Sequence, residues 1–197
     1  INKFYVMDLK PANSLIKWIV DQGFTLFVVS WVNPDASYAG TALDDYIRDG
    51  FLRAMSCAVD DNCCGMQAAL DATAAEKVTV IGYCIGGTLT AASLGYMAAQ
   101  NDHRVAAATF FTTLTDFSDP GEVGVFLNDD FVDGIERQTE RDGILSKFFM
   151  SRTFSFLRST ALIYTPAIKS YMLGEAPPAF DLLYWNGDGT NLPATMA

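Results

Sequence analysis

The stretch that decides the fold is residues 78–87, which read Val-Thr-Val-Ile-Gly-Tyr-Cys-Ile-Gly-Gly. The stretch begins with an apolar, β-branched run and is followed by an Ala-rich segment, 88–99, that is typical of a helix. A strand, a Gly-flanked turn and a helix in direct succession predict that Cys84 lies at the tip of a sharp turn. The sequence therefore predicts a strained elbow, and strained backbone next to a closely packed helix favours its three glycines, Gly82, Gly86 and Gly87.

At the tip of such an elbow Cys84 is a candidate nucleophile, where serine is the usual residue. Free N–H groups and the positive dipole end at the start of the next helix would stabilise a thiolate. The backbone N–H of Ile85, directly after the nucleophile, would hold an oxyanion. The alternative is that Cys84 is a small buried side chain in an ordinary doubly wound sheet. The turn matches neither a dinucleotide-binding G-x-G-x-x-G nor a P-loop.

The apolar pattern of the sequence predicts further strands and helices on both sides of the elbow. Strands and helices alternate, which predicts a parallel sheet covered by helices. The predicted helices are 12–22 (capped by Gly23), 43–58, 64–73 and 88–100, and the predicted strands are 25–31, 78–81 and 105–112.

The composition and the apolar pattern of the sequence change after residue 115. Residues 116–175 carry scattered Phe, Met and Leu among charged residues and show no strand alternation. We interpret them as a mostly helical insertion that serves as a lid, and the alternative is a plain helical extension of the core. The expected domains are therefore a core part with the elbow (1–115), the cap insertion (116–175), and the cap end or a return toward the core (176–197). We expect the core to be truncated at both ends, because the chain starts without Met and ends without a closing element.

Composition excludes several classes of protein. A formal net charge of -10 over 197 residues argues against nucleic acid and anionic membrane surfaces as partners. No run of about 20 apolar residues predicts a membrane span. Adjacent cysteines such as Cys63 and Cys64 rarely pair with each other, and the four cysteines match no zinc spacing. We therefore expect a reducing, cytoplasmic setting, in which Cys57, Cys63 and Cys64 pack in a helix.

The usual partners of a nucleophilic thiol are not recognisable in the chain. The single histidine, His103, lies between the predicted helix 88–100 and the predicted strand 105–112. We therefore expect it at the end of the sheet opposite Cys84, as a solvated loop residue. Asp129, Asp133, Gly134 and Glu140 occupy some positions of a calcium loop, but Phe131 replaces a required oxygen ligand. An acidic surface turn is predicted there, and no metal or other cofactor is expected.

Several stretches together resemble a known family. They are 1–9, 22–31, the lipase-like box 82–88, 112–121, 180–186 and 190–193. They resemble the polyhydroxyalkanoate synthases, in particular the single-subunit class I form. The resemblance implies an α/β-hydrolase core with a helical cap inserted after the strand that follows the elbow.

The same resemblance implies a function. It implies polymerisation of (R)-3-hydroxyacyl-CoA, of short chain such as 3-hydroxybutyryl-CoA, into a polyester through a thioester on Cys84, with coenzyme A leaving. It implies a cytoplasmic homodimer at the surface of polyester granules, where granule-surface proteins are further partners. Asn2 falls in the region that supplies an oxyanion N–H, and the family's aspartate and histidine fall beyond Ala197.

Three functions remain open on the sequence. The first is a polyester-forming acyltransferase, and the second is a hydrolase with the same elbow, such as a lactone hydrolase or a depolymerase. The third is a non-catalytic partner or fragment. Because no general base or acid is assigned, we expect the 197 residues alone to show no turnover.

Overall fold

A computed structural model describes residues 3–52, 65–157, 159–176 and 181–197. The proposed Asn2 and the cysteines Cys57, Cys63 and Cys64 lie outside the described residues. The strands are β1 (Asp8–Lys10), β2 (Asn13–Ser14), β3 (Val78–Tyr83), β4 (Val105–Phe111), β5 (Ile144–Leu145) and β6 (Leu192–Pro193). The helices are α1 (Leu15–Asp21), α2 (Leu43–Asp45), α3 (Gly65–Thr73), α4 (Ile85–Ala99), α5 (Asp129–Asp142), α6 (Lys147–Leu157), α7 (Thr165–Ala167) and α8 (Asp181–Gly187).

The chain forms two compact units. The first unit comprises Gly40–Gly124, and the second combines Asn2–Ala39 with Val125–Thr195. The first unit contains the elbow and the parallel strands, and the second contains the four helices α5 to α8. No helix in the described part of the chain has the length and apolar character that crossing a membrane requires.

In the first unit, β3 and β4 pair in parallel, as the β-branched and apolar runs predict. Thr79 pairs with Ala107 and Tyr83 pairs with Phe111, after a register shift that follows Val78. Helix α4 connects the two strands, so the pair with its crossover helix is a β-α-β unit. The carboxyl ends of both strands therefore meet at one edge, where Cys84 follows β3.

The core of the first unit lies beneath the amino ends of these strands. Its buried residues are Leu52, Met66, Leu70 and Met97, and Val78 and Val105 from the two strands pack against them. The buried residues of helix α4 are both large apolar and small ones, namely Gly87, Leu89, Thr90, Ser93 and Met97, and the two buried hydroxyls are satisfied by the helix itself. Ser93 donates to the carbonyl of Leu89 at 2.8 Å. Small buried side chains let the helix approach the sheet closely, which matters at the elbow.

A polar cluster fixes the connection between α4 and β4. Arg104 makes a bidentate ion pair with Asp102, with the shortest contact at 2.6 Å, and donates to Gln67 of α3 at 2.6 Å. This guanidinium holds the pKa of the Asp102 carboxyl below its ordinary value, mainly through the side-chain hydrogen bond. His103 is exposed between these two residues, so its prediction as a solvated loop residue is confirmed.

The second unit is mostly helical over its carboxyl-terminal segment. Helix α5 starts at the N-cap Asn128, whose side chain accepts the N–H of Phe131, and ends at Gly143, which has a φ of 72°. The ring centroids of Phe131 and Phe149 lie 5.2 Å apart and join α5 to α6. The acidic residues that loosely match a calcium loop lie within α5, so the predicted surface turn is wrong and a regular helix takes its place.

Contacts between distant residues close the second unit. Tyr5 donates to the carboxylate of Asp188 at 2.7 Å, and the indole N–H of Trp185 donates to the carbonyl of Lys3 at 2.8 Å. Burial and the Asp188 carboxylate raise the pKa of Tyr5. The amino-terminal segment is therefore tied to the last helix of the same unit.

The predicted buried strand at 25–31 is wrong. The structure has neither helix nor strand from residue 24 to 35, and apolar side chains there are exposed, with Phe24 at 67% and Val32 at 66%. A continuous apolar run forms a buried strand only when neighbouring strands accept its hydrogen bonds and cover both faces. No described strand pairs with this segment.

The helix predictions need smaller corrections. Helix α1 starts at Leu15 rather than residue 12 because Asn13 pairs with Lys10 in a short hairpin. Gly23 has a φ of 87° after the helix, as its predicted capping role requires. For the helix predicted at 43–58, the structure has the short α2 followed by π-helical turns over Tyr46–Leu52, and residues 53–58 lie outside the described part of the chain. The prediction for 64–73 is confirmed by α3.

Candidate functional site

The backbone at Cys84 has the strained geometry of an elbow. Its φ is 53° and its ψ is -126°, a conformation that residues with a side chain rarely adopt. Strand β3 ends one residue before Cys84, and α4 begins one residue after it. The Cys84 N–H donates to the carbonyl of Phe111 at the end of β4, at 2.9 Å. The turn therefore stays part of the sheet while the chain reverses into the helix.

The Cys84 thiol is free and exposed. This excludes the alternative in which Cys84 is a small buried residue of the sheet. The strain of the backbone and the exposure of the side chain occur together, as expected where the fold holds a reactive group outward. Strained residues cluster at functional sites because the surrounding structure must keep them in place.

The three glycines of the elbow have different roles. A Cβ on Gly82 would lie 2.5 Å from the Cα of Gly87 and 2.9 Å from the hydroxyl of Thr90, so strand and helix approach too closely for a side chain. A Cβ on Gly87 would overlap the side chain of Thr113. Gly86 differs from the prediction, because a Cβ there would meet no described atom within 4 Å. Close packing thus requires glycine at 82 and 87 but not at 86.

Helix α4 begins three residues earlier than the sequence pattern predicts. It starts at Ile85 rather than residue 88, with Cys84 as its N-cap. The pair Gly86-Gly87 is typical of a loop, yet both residues lie in the first turn of α4. Glycine is needed at 87 for another reason, because only a residue without a side chain fits beside Thr113. The N–H groups of Gly87 and Thr88 donate to the carbonyl of Cys84 at 2.8 and 3.3 Å, so the donors that the helix start can offer to a ligand are those of Ile85 and Gly86. The positive dipole end of α4 lies directly after Cys84.

A second turn at the end of β4 contacts the elbow, and sequence reasoning assigned it no role. Thr112 has a φ of 44° and ends the strand. Its neighbour Thr113 fills the space above Gly87, and the Thr88 hydroxyl donates to the carbonyl of Leu114 at 2.7 Å. These contacts join residues 26 positions apart, and no local sequence pattern reveals them.

Other candidate groups do not meet Cys84. His103 precedes β4 whereas Cys84 follows β3, so the two residues lie at opposite ends of the parallel pair. Six residues of strand separate these ends by roughly 20 Å. Among the described side chains, no group of three or more His, Cys, Asp or Glu could hold a metal ion. The general base and acid of a thiol nucleophile are therefore not assigned to a residue of this chain.

Comparison with known proteins places this elbow in a family. A profile of the alpha/beta hydrolase fold matches residues 7–196. The chain belongs to the alpha/beta hydrolase fold family. Strand, strained elbow and helix at 78–99 are the hallmark of that family, and the parallel pairing of β3 with β4 agrees with it.

Within the alpha/beta hydrolase family, the chain is similar to proteins named poly(3-hydroxyalkanoate) polymerases. It is 43% identical over 98% of its length to the poly(3-hydroxyalkanoate) polymerase subunit PhaC of Rhizobium meliloti, covering 30% of that protein. It is 40% identical over 98% of its length to the corresponding subunit of Cupriavidus necator, covering 32% of it. For the poly(3-hydroxyalkanoate) polymerase of Methylorubrum extorquens the identity is 42% over 98% of the chain and 30% of the relative. The chain thus spans about a third of the length of these relatives.

Proposed function

We propose that this chain is the elbow-bearing part of a poly(3-hydroxyalkanoate) synthase, an acyltransferase that polymerises (R)-3-hydroxyacyl-CoA. The observation that carries the proposal is the exposed, strained Cys84 at the start of α4 in a chain about 40% identical to named polymerases. A thiol is well suited to a thioester substrate, because transfer from one sulfur to another is nearly balanced in energy. The acyl group stays activated for the next transfer.

The proposed reaction has two transfers. In the first, the Cys84 thiolate attacks the carbonyl carbon of the acyl-CoA, and the carbon–sulfur bond to coenzyme A breaks as its thiolate leaves and takes up a proton. In the second, the hydroxyl of another hydroxyacyl unit attacks the Cys84 thioester. An ester bond forms, the hydroxyl proton is released to a base, and the Cys84 thiolate is regenerated. Repetition lengthens the polyester.

The start of α4 supports both transfers. Each transfer passes through a tetrahedral intermediate that carries a negative oxygen, and the N–H of Ile85 at the first helical position is the proposed donor to it. Loss of one such donor costs about 10²–10³ in rate in other enzymes. The proposed role of Asn2 in the same oxyanion site concerns a residue outside the described part of the chain.

The remaining features of the proposal concern the whole protein. We propose short-chain monomers such as 3-hydroxybutyryl-CoA, a homodimer, and a cytoplasmic location at the granule surface, with granule-surface proteins as further partners. The mostly helical segment 116–175 is the proposed lid, which would keep water from the acyl thioester. Exposed Phe148 and Phe156 of α6 suit contact with an apolar polymer.

The proposal is tested by replacing the thiol in the full-length protein. Cys84→Ala should abolish polymer formation from 3-hydroxybutyryl-CoA, because it removes the sulfur that carries the acyl chain in the proposed reaction. The measurements are coenzyme A release and the mass of polymer formed. Cys63→Ala is the matched control and should keep most of the activity.

Two outcomes would contradict the proposal. Polymer made by the Cys84→Ala variant would show that the acyl chain is carried elsewhere. Free 3-hydroxybutyrate as the sole product of the wild-type protein would instead favour a cysteine hydrolase, which the family profile also accommodates.

A further inference from the structure

Two strained residues lie at the neighbouring ends of β3 and β4. Cys84 has a φ of 53°, and Thr112 has a φ of 44°. For a β-branched residue such as Thr112 a positive φ is a genuine outlier. Conformations of this kind persist only when surrounding contacts over-determine them. The contacts around both residues should therefore show what holds the elbow in place.

Three hydrogen bonds converge on the turn that follows β4. The carbonyl of Phe111 accepts the N–H of Cys84 at 2.9 Å and the hydroxyl of Thr113 at 3.1 Å. The carbonyl of Leu114 accepts the hydroxyl of Thr88 at 2.7 Å. The first bond holds the nucleophile's own backbone. The third holds the first turn of α4, four residues further along the chain.

Packing reinforces these hydrogen bonds. The Thr113 side chain occupies the space above Gly87 so closely that a Cβ there would lie 2.7 Å from its methyl carbon. Gly87 in turn donates its N–H to the carbonyl of Cys84 at 2.8 Å. The residue that carries the thiol, the helix start and the turn after β4 are thus locked into one assembly, and one part cannot shift without the others.

We propose that Thr88 and Thr113 are positioning residues, which hold Cys84 in its strained conformation by clamping the start of α4 to the turn after β4. Their catalytic importance rests on the proposed function, in which the substrate carbonyl must contact the Cys84 thiol through its carbon and the Ile85 N–H through its oxygen at the same time. A displacement of about 1 Å at a reacting atom can cost about 10²-fold in rate. Neither threonine touches the substrate in this proposal, because both act through the position of Cys84.

The test uses Thr88→Val in the full-length protein, which keeps the shape of the side chain and removes its hydroxyl. We expect kcat for polymer formation, per folded enzyme, to fall about tenfold while KM stays within about twofold. Thr88→Ser restores the hydroxyl and should recover most of kcat. Thr73→Val is the matched control, since the Thr73 hydroxyl also donates to a backbone carbonyl at 2.7 Å but at the end of α3.

A second measurement does not depend on polymer formation. Iodoacetamide alkylation of Cys84 is followed by mass spectrometry on the tryptic peptide 78–104, in which Cys84 is the single cysteine. We expect Thr88→Val to slow alkylation at least threefold and Thr88→Ser to restore it. The reason is that the strained conformation holds the thiol exposed, so a Cys84 that relaxes from it presents its sulfur less openly to the reagent.

The outcomes separate the two proposals. An unchanged kcat and an unchanged alkylation rate in Thr88→Val would overturn the positioning role, whatever Cys84→Ala does. Polymer formation by Cys84→Ala would overturn the proposed function, while a slower alkylation in Thr88→Val would still support the clamp. Should Thr88→Val fail to fold, Thr113→Val puts the same question, because it keeps the packing above Gly87 and removes the hydroxyl bond to Phe111.

Discussion

At the scale of the residue, Cys84 combines an unfavourable backbone with an exposed side chain. A non-glycine residue in such a conformation costs on the order of 1–3 kcal/mol. Stability alone would place glycine at this position, since glycine adopts positive φ without steric cost. The thiol is therefore retained at the expense of stability, as is expected of a residue selected for chemistry.

This cost predicts that Cys84→Gly is more stable than Cys84→Ala in the full-length protein. We expect a difference of about 1 kcal/mol in the free energy of unfolding, because relief of strain outweighs the extra chain entropy of glycine. Urea unfolding of the two variants measures it. The control is Ala98→Gly in the exposed part of α4, where the same exchange should destabilise by about 1 kcal/mol. Equal stability of Cys84→Gly and Cys84→Ala would contradict the strain.

At the scale of the element, the elbow depends on how closely β3 approaches α4. The contact between Gly82 and Gly87 sets that distance, since a Cβ on residue 82 would lie only 2.5 Å from the Cα of Gly87. Backbone cannot move aside as a flexible side chain can. A larger residue at 82 would therefore push the helix start away from the strand and move the elbow with it.

Gly82→Ala and Gly86→Ala should consequently have opposite effects. We expect Gly82→Ala to lower the free energy of unfolding by about 2 kcal/mol, through overpacking. Gly86→Ala should be neutral or stabilise by up to about 1 kcal/mol, because alanine has the better helix propensity and space is open there. Thermal unfolding of the full-length variants measures both. If Gly86→Ala lowered the free energy of unfolding as much as Gly82→Ala, the contact between residues 82 and 87 would not be the cause of the destabilisation.

At the scale of the whole molecule, contacts between residues distant in sequence close each unit. In the second unit Asn191 is the main link. Its side chain accepts the N–H of Lys147 at 2.9 Å and donates to the carbonyl of Pro34 at 2.9 Å, and its backbone N–H donates to the side chain of Asn33 at 2.8 Å. One amide thus joins three segments of the chain, next to the pairing of β5 with β6.

Asn191→Ala should therefore destabilise the protein more than an ordinary surface substitution. It leaves the partly buried N–H of Lys147 and the carbonyl of Pro34 without their partner, and we expect a loss of about 2 kcal/mol. The midpoint of urea unfolding checks this. Asn13→Ala at an exposed position is the control, and a shift no larger than that of the control would contradict the linking role.

The sequence by itself determined the β-α-β unit, the position of the elbow and Cys84 as its tip. These features depend on local patterns, namely β-branched runs, helical periodicity and glycines around a turn, and they were confirmed as β3, α4 and β4. The same patterns failed at 25–31, because a strand also needs partners that no local stretch contains.

Only the tertiary structure decided which parts of the chain support the elbow. It showed that Gly82 and Gly87 are needed for close packing whereas Gly86 is not. It also brought the turn after β4 against the start of α4, through Thr113 and the hydrogen bond from Thr88. The physical reason is that such contacts join residues far apart in sequence, and their geometry is fixed by the packing of whole elements rather than by local propensity.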